Sequence, residues 1–213
     1  VKSLKALIII AIILSHSNSM GQVFKPFPEG LGIEIGGGQN NLFWSAPPGI
    51  LTIGAGPIDR THFVLTPNIR INYDFQLSSD YSTILFVGYN RFGGYTALKN
   101  GYQDAYIFDV TEGGLFFLLG ISKLHIGVGL KANYHNRVLF NHITPFYSEN
   151  ENRTEWFVKL STDAGIRIMY SISHFNLSLE AWFGLNDLRN SQILLPGGII
   201  REHHYRFLFG YTL

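Results

Sequence analysis

The stretch from Thr154 to Leu185 constrains the fold more than any other part of the chain. From Trp156 onward every second residue is apolar or small: Val158, Leu160, Thr162, Ala164, Ile166, Ile168, Tyr170 and Ile172 follow it. Between them stand Lys159, Ser161, Asp163, Arg167 and Ser171. A period of two held this long requires extended backbone with two unlike faces, and it excludes a helix. Ser173-His174 then breaks the pattern, and Phe175, Leu177, Leu179, Ala181, Phe183 and Leu185 resume the apolar row. If those two residues are the whole turn, Ile172 faces Phe175 and Arg167 faces Glu180, an opposite-charge cross-strand pair. One face of the hairpin is then free of charge. What that face touches (core, ligand or lipid) decides what kind of protein this is.

The same period recurs along the chain. Leu31, Ile33 and Ile35 alternate with Gly32, Glu34 and Gly36. A second row runs from about Thr61 to Phe75, with Pro67 inside it, where a proline calls for a bulge or an unpaired position. Residues 83–91 are apolar on both faces and leave their register open. Strands are also expected over about 105–120, over Leu124–Tyr134 against His125–His135, and over Arg201–Leu213. With the two of the hairpin, eight strands result. Short connections near 78–81, 121–124 and 172–175 fall at one end of the sheet. Long ones at 40–60, 93–103, 136–153 and 187–199 fall at the other.

Composition narrows the class further. Charged residues make up 15% of the chain, against about 25% in soluble domains. A net charge of +1 gives no argument for nucleic acid, and the absence of cysteine removes disulfides and thiolate metal sites. Beyond the N-terminus there is no apolar run of about eighteen residues, so no helical span is expected. Lys2 and Lys5, the apolar run Ala6–Leu14 and the small polar residues that follow fit a signal peptide over 1–21. Residues 22–213 then form one barrel domain.

Two barrels satisfy eight antiparallel strands after a signal peptide. A lipocalin-like carrier turns its apolar face inward around a ligand; an outer-membrane barrel turns it outward to lipid. The polar face is rich in glycine and nearly balanced in charge. Glu34, Asp74, Glu112, Asp163, Glu180 and Glu202 stand against Arg70, Lys131, Lys159, Arg167 and Arg206. Such a set can neutralise itself across a narrow lumen, whereas each basic residue turned to lipid would cost about 2–4 kcal/mol near the midplane. Aromatics such as Trp156 and Tyr170 cap the apolar rows, ~46 Å apart along one strand at ~3.3 Å per residue. Tilted by about 40°, that span admits two aromatic girdles. The membrane reading is the one these features favour: a closed, all-β, up-and-down transmembrane barrel.

The terminal segment, with Tyr205, Phe207, Phe209, Tyr211 and Leu213 on one face, resembles the C-terminal signal of bacterial outer-membrane proteins. Leu213 stands where that family usually ends in Phe. The layout of 22–213 resembles the small OmpA/OmpX-type barrels, especially the barrel family common in Bacteroidota. That resemblance implies an outer-membrane location with both termini periplasmic, outer-membrane lipid around the barrel, and the barrel-assembly machinery as a partner during insertion.

Eight strands leave an interior that side chains can fill, so an ion-paired, plugged lumen is expected in place of an open pore. A narrow ion- or proton-passing channel is the competing reading. No cofactor is implied. A lipid-modifying hydrolase would need a nucleophile beside a base. His203 and His204 next to Glu202 form the best local cluster, with His62 at the same rim, but no serine falls near them. They are expected to be solvated rim histidines, and no metal site is expected. The apolar loop residues Leu42, Phe43, Trp44, Ile50, Leu51 and Ile53, with Ile193, Leu194, Leu195, Ile199 and Ile200, suggest a surface for an envelope or extracellular partner. A structural or interaction role without enzymatic activity follows.

Overall fold

Residues 30–45, 64–97, 103–190 and 199–213 are described by the computed structural model. The expected signal peptide, His62, and loop residues Ile50, Leu51, Ile53, Ile193, Leu194 and Leu195 lie outside them. The strands are β1 (Gly30–Ser45), β2 (Val64–Gln76), β3 (Tyr81–Ala97), β4 (Gln103–Ile121), β5 (Leu124–Ile143), β6 (Ser148–Asn152), β7 (Leu160–Ile172), β8 (Phe175–Gly184) and β9 (Ile199–Thr212). Neighbours pair antiparallel from β1 through β5, then β5 with β7, β7 with β8 and β8 with β9. Pairing of β9 with β1 closes an eight-stranded barrel, and β6 folds back onto the upper part of β5.

The β7–β8 hairpin has the two-residue turn Ser173-His174, with Ile172 opposite Phe175 and Arg167 opposite Glu180. Ser173 takes a φ of 56°, and Ser122 in the equally short β4–β5 turn a φ of 59°. A positive φ at the first turn position matches the strands' own twist. These turns and Leu77–Asp80 lie at one end of the barrel.

Every strand of the barrel turns a row of large apolar side chains outward, from Leu31, Ile33 and Ile35 on β1 to Tyr205, Phe207, Phe209 and Tyr211 on β9, and they are exposed. On β5 the row runs from Leu124 to Tyr134, ~33 Å along the strand and about 25 Å in height at a typical tilt. A continuous belt of this height exceeds anything a soluble monomer leaves open to water. It also excludes the lipocalin-like arrangement, because the charged face is the inner one. The fold is a transmembrane β-barrel.

Several boundaries differ from those the periodicity suggests. The 93–103 loop shrinks to a hairpin, because β3 continues to Ala97 and β4 begins at Gln103. Expected as a polar loop, 136–153 is largely strand: Asp109 pairs with Arg137 but Val110 pairs with His135, so Asn136 is an extra residue. That bulge swaps the parity, which hides Val138 and Phe140 from a simple count and turns both inward. Pro67 produces no bulge. It pairs with Gly37 of β1, while the β2–β3 ladder begins one residue later at Asn68, so its missing N–H faces no partner.

Lys159 is a correction to the interior set. The ladder of β7 begins only at Leu160; Lys159 lies in an exposed bend, and residues Thr154–Trp156 form a 3-10 turn. Trp156 is therefore no girdle residue. It is partly buried beside the cluster of Leu42, Phe92, Phe108, Val110, Val138, Phe157, Leu188 and Ile200 at the long-connection end. Leu42 and Ile200 thus lie inside the mouth and form no contact surface, because β1 and β9 extend past the belt. A second inward cluster comprises Ile84, Phe86, Phe116, Leu118, Met169 and Trp182. The interior is layered between aromatic and charged side chains, more apolar than the strand pattern implies.

Candidate functional site

The inner face is crowded because large side chains lie across glycines on the next strand. A Cβ on Gly165 would sit 2.4 Å from the Trp182 ring, and one on Gly129 2.6 Å from the Phe116 ring. Phe86, Phe116 and Trp182 form an aromatic floor, with Phe116 and Trp182 centroids 4.9 Å apart. This explains the two-faced apolar pattern of β3: Ile84 and Phe86 point in, whereas Leu85 and Val87 point out.

Against that floor rests a closed ring of four charges from four strands. Glu34 of β1 bonds both Arg70 of β2 and Arg167 of β7. Glu180 of β8 accepts two bonds from Arg70, at 2.5 and 3.1 Å, and one from Arg167 at 2.8 Å. The Arg70 guanidinium lies 4.5 Å above the Phe86 ring, and the Trp182 indole N–H donates to Glu180 at 2.8 Å. Two carboxylates and two guanidinium groups balance, and all four side chains are fully buried. Forked Arg–carboxylate geometry makes this the strong form of an ion pair.

Beside the ring, Arg206 grips Glu112 with two bonds of 2.7 and 2.8 Å. Lys131 bridges Glu112 at 3.0 Å and Asp163 at 3.1 Å while lying 5.0 Å over the Trp182 ring. Toward the mouth a third group contains Asp163, Glu202 and His204. Asn133 donates to Asp163 at 2.9 Å and to Glu202 at 2.8 Å, and Ser161 donates to Glu202 at 3.1 Å. His204 Nε2 is 3.3 Å from Glu202 and 3.9 Å from Asp163. Asp74 is buried apart from these groups, accepting from Asn72 at 2.8 Å.

His204 is no rim residue. It shares the parity of Glu202 and Arg206, is fully buried, and meets the Phe92 ring edge-on at 4.7 Å. A serine lies beside a different histidine from those singled out in the sequence: Ser161 Oγ is 3.2 Å from His135 Nε2. The pairing comes from β5 and β7 lying side by side, which no local motif announces. Both residues are buried, His135 against the Phe92 and Phe108 rings, and the serine hydroxyl is engaged by Glu202, so Ser161 is not presented as a nucleophile.

Outside the barrel, at the upper edge of the belt, Asp109 accepts from Arg91 at 2.6 Å, Arg137 at 2.6 Å and Tyr89 at 2.7 Å. Higher still, the tip between β5 and β6 carries Phe146, 90% exposed, and Tyr147. Phe43 and Trp44 lie on β1, above the belt.

No family model and no curated protein matches the sequence. Among solved structures, the attachment invasion locus protein Ail of Yersinia pestis is similar at 13% identity and a TM-score of 0.49, covering 87% of this chain and 99% of that one. Neisserial surface protein A gives 8% identity and a TM-score of 0.49, over 86% of this chain and 97% of that one. The outer membrane protein OprG of Pseudomonas aeruginosa gives 12% identity and a TM-score of 0.38, over 88% and 98%. These likenesses are of general shape. The closed register, the apolar belt and the charged interior assign the class on their own: this chain is a small, eight-stranded transmembrane β-barrel.

Proposed function

We propose that the protein is a non-conducting outer-membrane barrel that serves as a rigid platform for contacts made at its long-connection end. The ring of Glu34, Arg70, Glu180 and Arg167 carries this reading. It ties β1, β2, β7 and β8 together across the lumen with every side chain buried, and an ion would have to break paired charges to pass. In this reading the belt contacts outer-membrane lipid and the short turns face the periplasm. The β9 face of Tyr205, Phe207, Phe209, Tyr211 and Leu213 is presented to the assembly machinery. The contact surface comprises the loops holding Ile50, Leu51, Ile193, Leu194 and Leu195, joined by Phe43, Trp44 and the exposed Phe146 and Tyr147. The sealed surroundings of Ser161, His135 and His204 speak against a lipid hydrolase.

Planar-bilayer recording tests the lumen. Purified protein is expected to give no discrete current steps, and reproducible single-channel steps would overturn the platform reading in favour of a channel. Aspartate at Leu51 and Leu194 is expected to abolish any envelope or extracellular contact while leaving barrel insertion intact. An unchanged lipid A profile after His204→Ala is expected as well, since no hydrolysis is assigned to it.

A further inference from the structure

We propose that Asp163, Glu202 and His204 form a buried site for one divalent transition-metal cation of the zinc class. Charge is the first reason. Among the described residues the inner face carries six buried carboxylates (Glu34, Asp74, Glu112, Asp163, Glu180, Glu202) and four buried cations (Arg70, Lys131, Arg167, Arg206). The four-membered ring is neutral, and Arg206 and Lys131 serve Glu112 and Asp163. Glu202 accepts hydrogen bonds from the neutral Asn133 and Ser161, and among the described residues no Lys or Arg pairs with it; a buried carboxylate without a cation is costly.

Geometry is the second. Asp163 pairs with Gly184 of β8, whose missing side chain leaves Glu202 room to approach across it. One donor atom from each of Asp163, Glu202 and His204 falls within 4.8 Å of the others, and His204 Nε2 lies 3.3 Å from Glu202 Oε2. Tetrahedral zinc, with ligands at about 2.0–2.2 Å, spaces neighbouring donors roughly 3.3–3.5 Å apart. Asp163 Oδ1, Glu202 Oε2 and His204 Nε2 are all buried without a hydrogen-bond partner.

The tautomer is the third. Asn40 donates its amide N–H to Thr66, so its Oδ1 is the atom 2.6 Å from His204 Nδ1. An amide oxygen only accepts, which puts the proton on Nδ1 and leaves the Nε2 lone pair aimed at the carboxylates. A histidine fixed through its other nitrogen is the usual support of a metal ligand. One imidazole nitrogen with two carboxylates suits zinc, cobalt or manganese better than calcium or magnesium, which favour all-oxygen shells.

Full-length protein folded in detergent with Zn²⁺ and then dialysed is expected to retain about one zinc per chain by elemental analysis. With Co²⁺ it should develop the visible absorption of a four- or five-coordinate site. Glu202→Gln and His204→Gln, confirmed as folded by heat-modifiable gel migration, should lose both signals, and Asn40→Ala should weaken zinc binding about 10–100-fold. Wild-type protein without retained zinc and without the cobalt bands overturns the proposal, and so does a folded Glu202→Gln variant that binds zinc as tightly as wild type. Should neither variant fold, the wild-type cobalt spectrum decides between a site and its absence.

Discussion

The lower and upper halves of the lumen use the same residue types to opposite electrostatic ends. Below, Glu34, Arg70, Glu180 and Arg167 close a ring in which each carboxylate meets two guanidinium groups. Above, Asp163 and Glu202 converge beside the neutral donors Asn133 and Ser161 and the neutral His204, and of these two carboxylates Lys131 reaches Asp163 alone. The lower group is complete as it stands and fixes strand register, since a one-residue slip of any contributing strand would turn its charge to lipid. The upper group holds more negative charge than its neighbours offset. Equal burial therefore does not mean equal role: one arrangement is a clamp, the other a receptor for positive charge.

Breaking the clamp should have the largest effect. Arg167→Met leaves Glu34 and Glu180 sharing Arg70, and the uncompensated buried charge should destabilise the barrel by about 3–5 kcal/mol. Adding Glu34→Gln restores neutrality and leaves the forked Arg70–Glu180 pair with its Trp182 bond intact. The double variant should thus unfold at higher urea than the single one, read by heat-modifiable gel migration in lipid vesicles. A double variant no milder than the single would show that the four charges do not act as a closed set.

The corresponding change above should cost somewhat less. Lys131→Met leaves Glu112 with its two bonds from Arg206, but strips Asp163 of its one cation beside Glu202. A loss of about 3 kcal/mol is expected, at the low end of what breaking a buried pair costs, because Asn133 still serves Asp163. If Lys131→Met proves as damaging as Arg167→Met, the two halves do not differ in the way their contacts indicate.

How much of this was legible beforehand depends on distance along the chain. Period-two alternation and two-residue turns are local, so the β7–β8 pairing of Arg167 with Glu180 could be drawn from the residues alone. The ring could not, because Glu34 and Arg70 reach Glu180 and Arg167 only once β9 meets β1 and the sheet closes. The bulge at Asn136 defeats parity counting, which is why residues 136–153, the upper part of β5 and all of β6, read as a loop. Lys159 misled for a related reason: the alternation runs on past the point where β7 leaves its ladder, since Trp156 and Phe157 are apolar to fill the mouth. The upper trio had one readable clue. Glu202, His204 and Arg206 share a parity, which places His204 inside, yet Asp163 and Asn40 join it from other strands.

Trp182 is the side chain that touches both halves, donating to Glu180 while Lys131 lies over its ring. Gly165→Ala would put a Cβ 2.4 Å from that ring and push it aside. Overpacking of this kind costs about 1–3 kcal/mol. Trp182→Phe keeps an aromatic surface under Lys131 but removes the indole donor, for a loss of about 1–2 kcal/mol. Combined with Arg167→Met, Trp182→Phe should be less than additive, because the acceptor it leaves unpaired is already disturbed. Strict additivity in the urea midpoints would mean that the indole donor acts independently of the clamp.

The smallest effect carries the sharpest test, because its sign is expected to reverse. Glu202→Gln keeps the side chain's size and an oxygen for Asn133 and Ser161, while removing the negative charge that faces Asp163. In chelator-treated protein the variant should therefore be as stable as wild type or more stable by about 1 kcal/mol, since a buried like-charge contact is relieved. In the lower ring the matching substitution, Glu180→Gln, should be destabilising under every condition, because it leaves Arg70 and Arg167 with one carboxylate between them. With zinc present the order at position 202 should invert, as wild type gains the ion's binding energy and the variant does not. Urea midpoints of both variants, with chelator and with zinc, measure this directly. If Glu202→Gln destabilises the chelated barrel as strongly as Glu180→Gln does, the upper group is a second clamp, and the contrast between the two halves of the lumen fails.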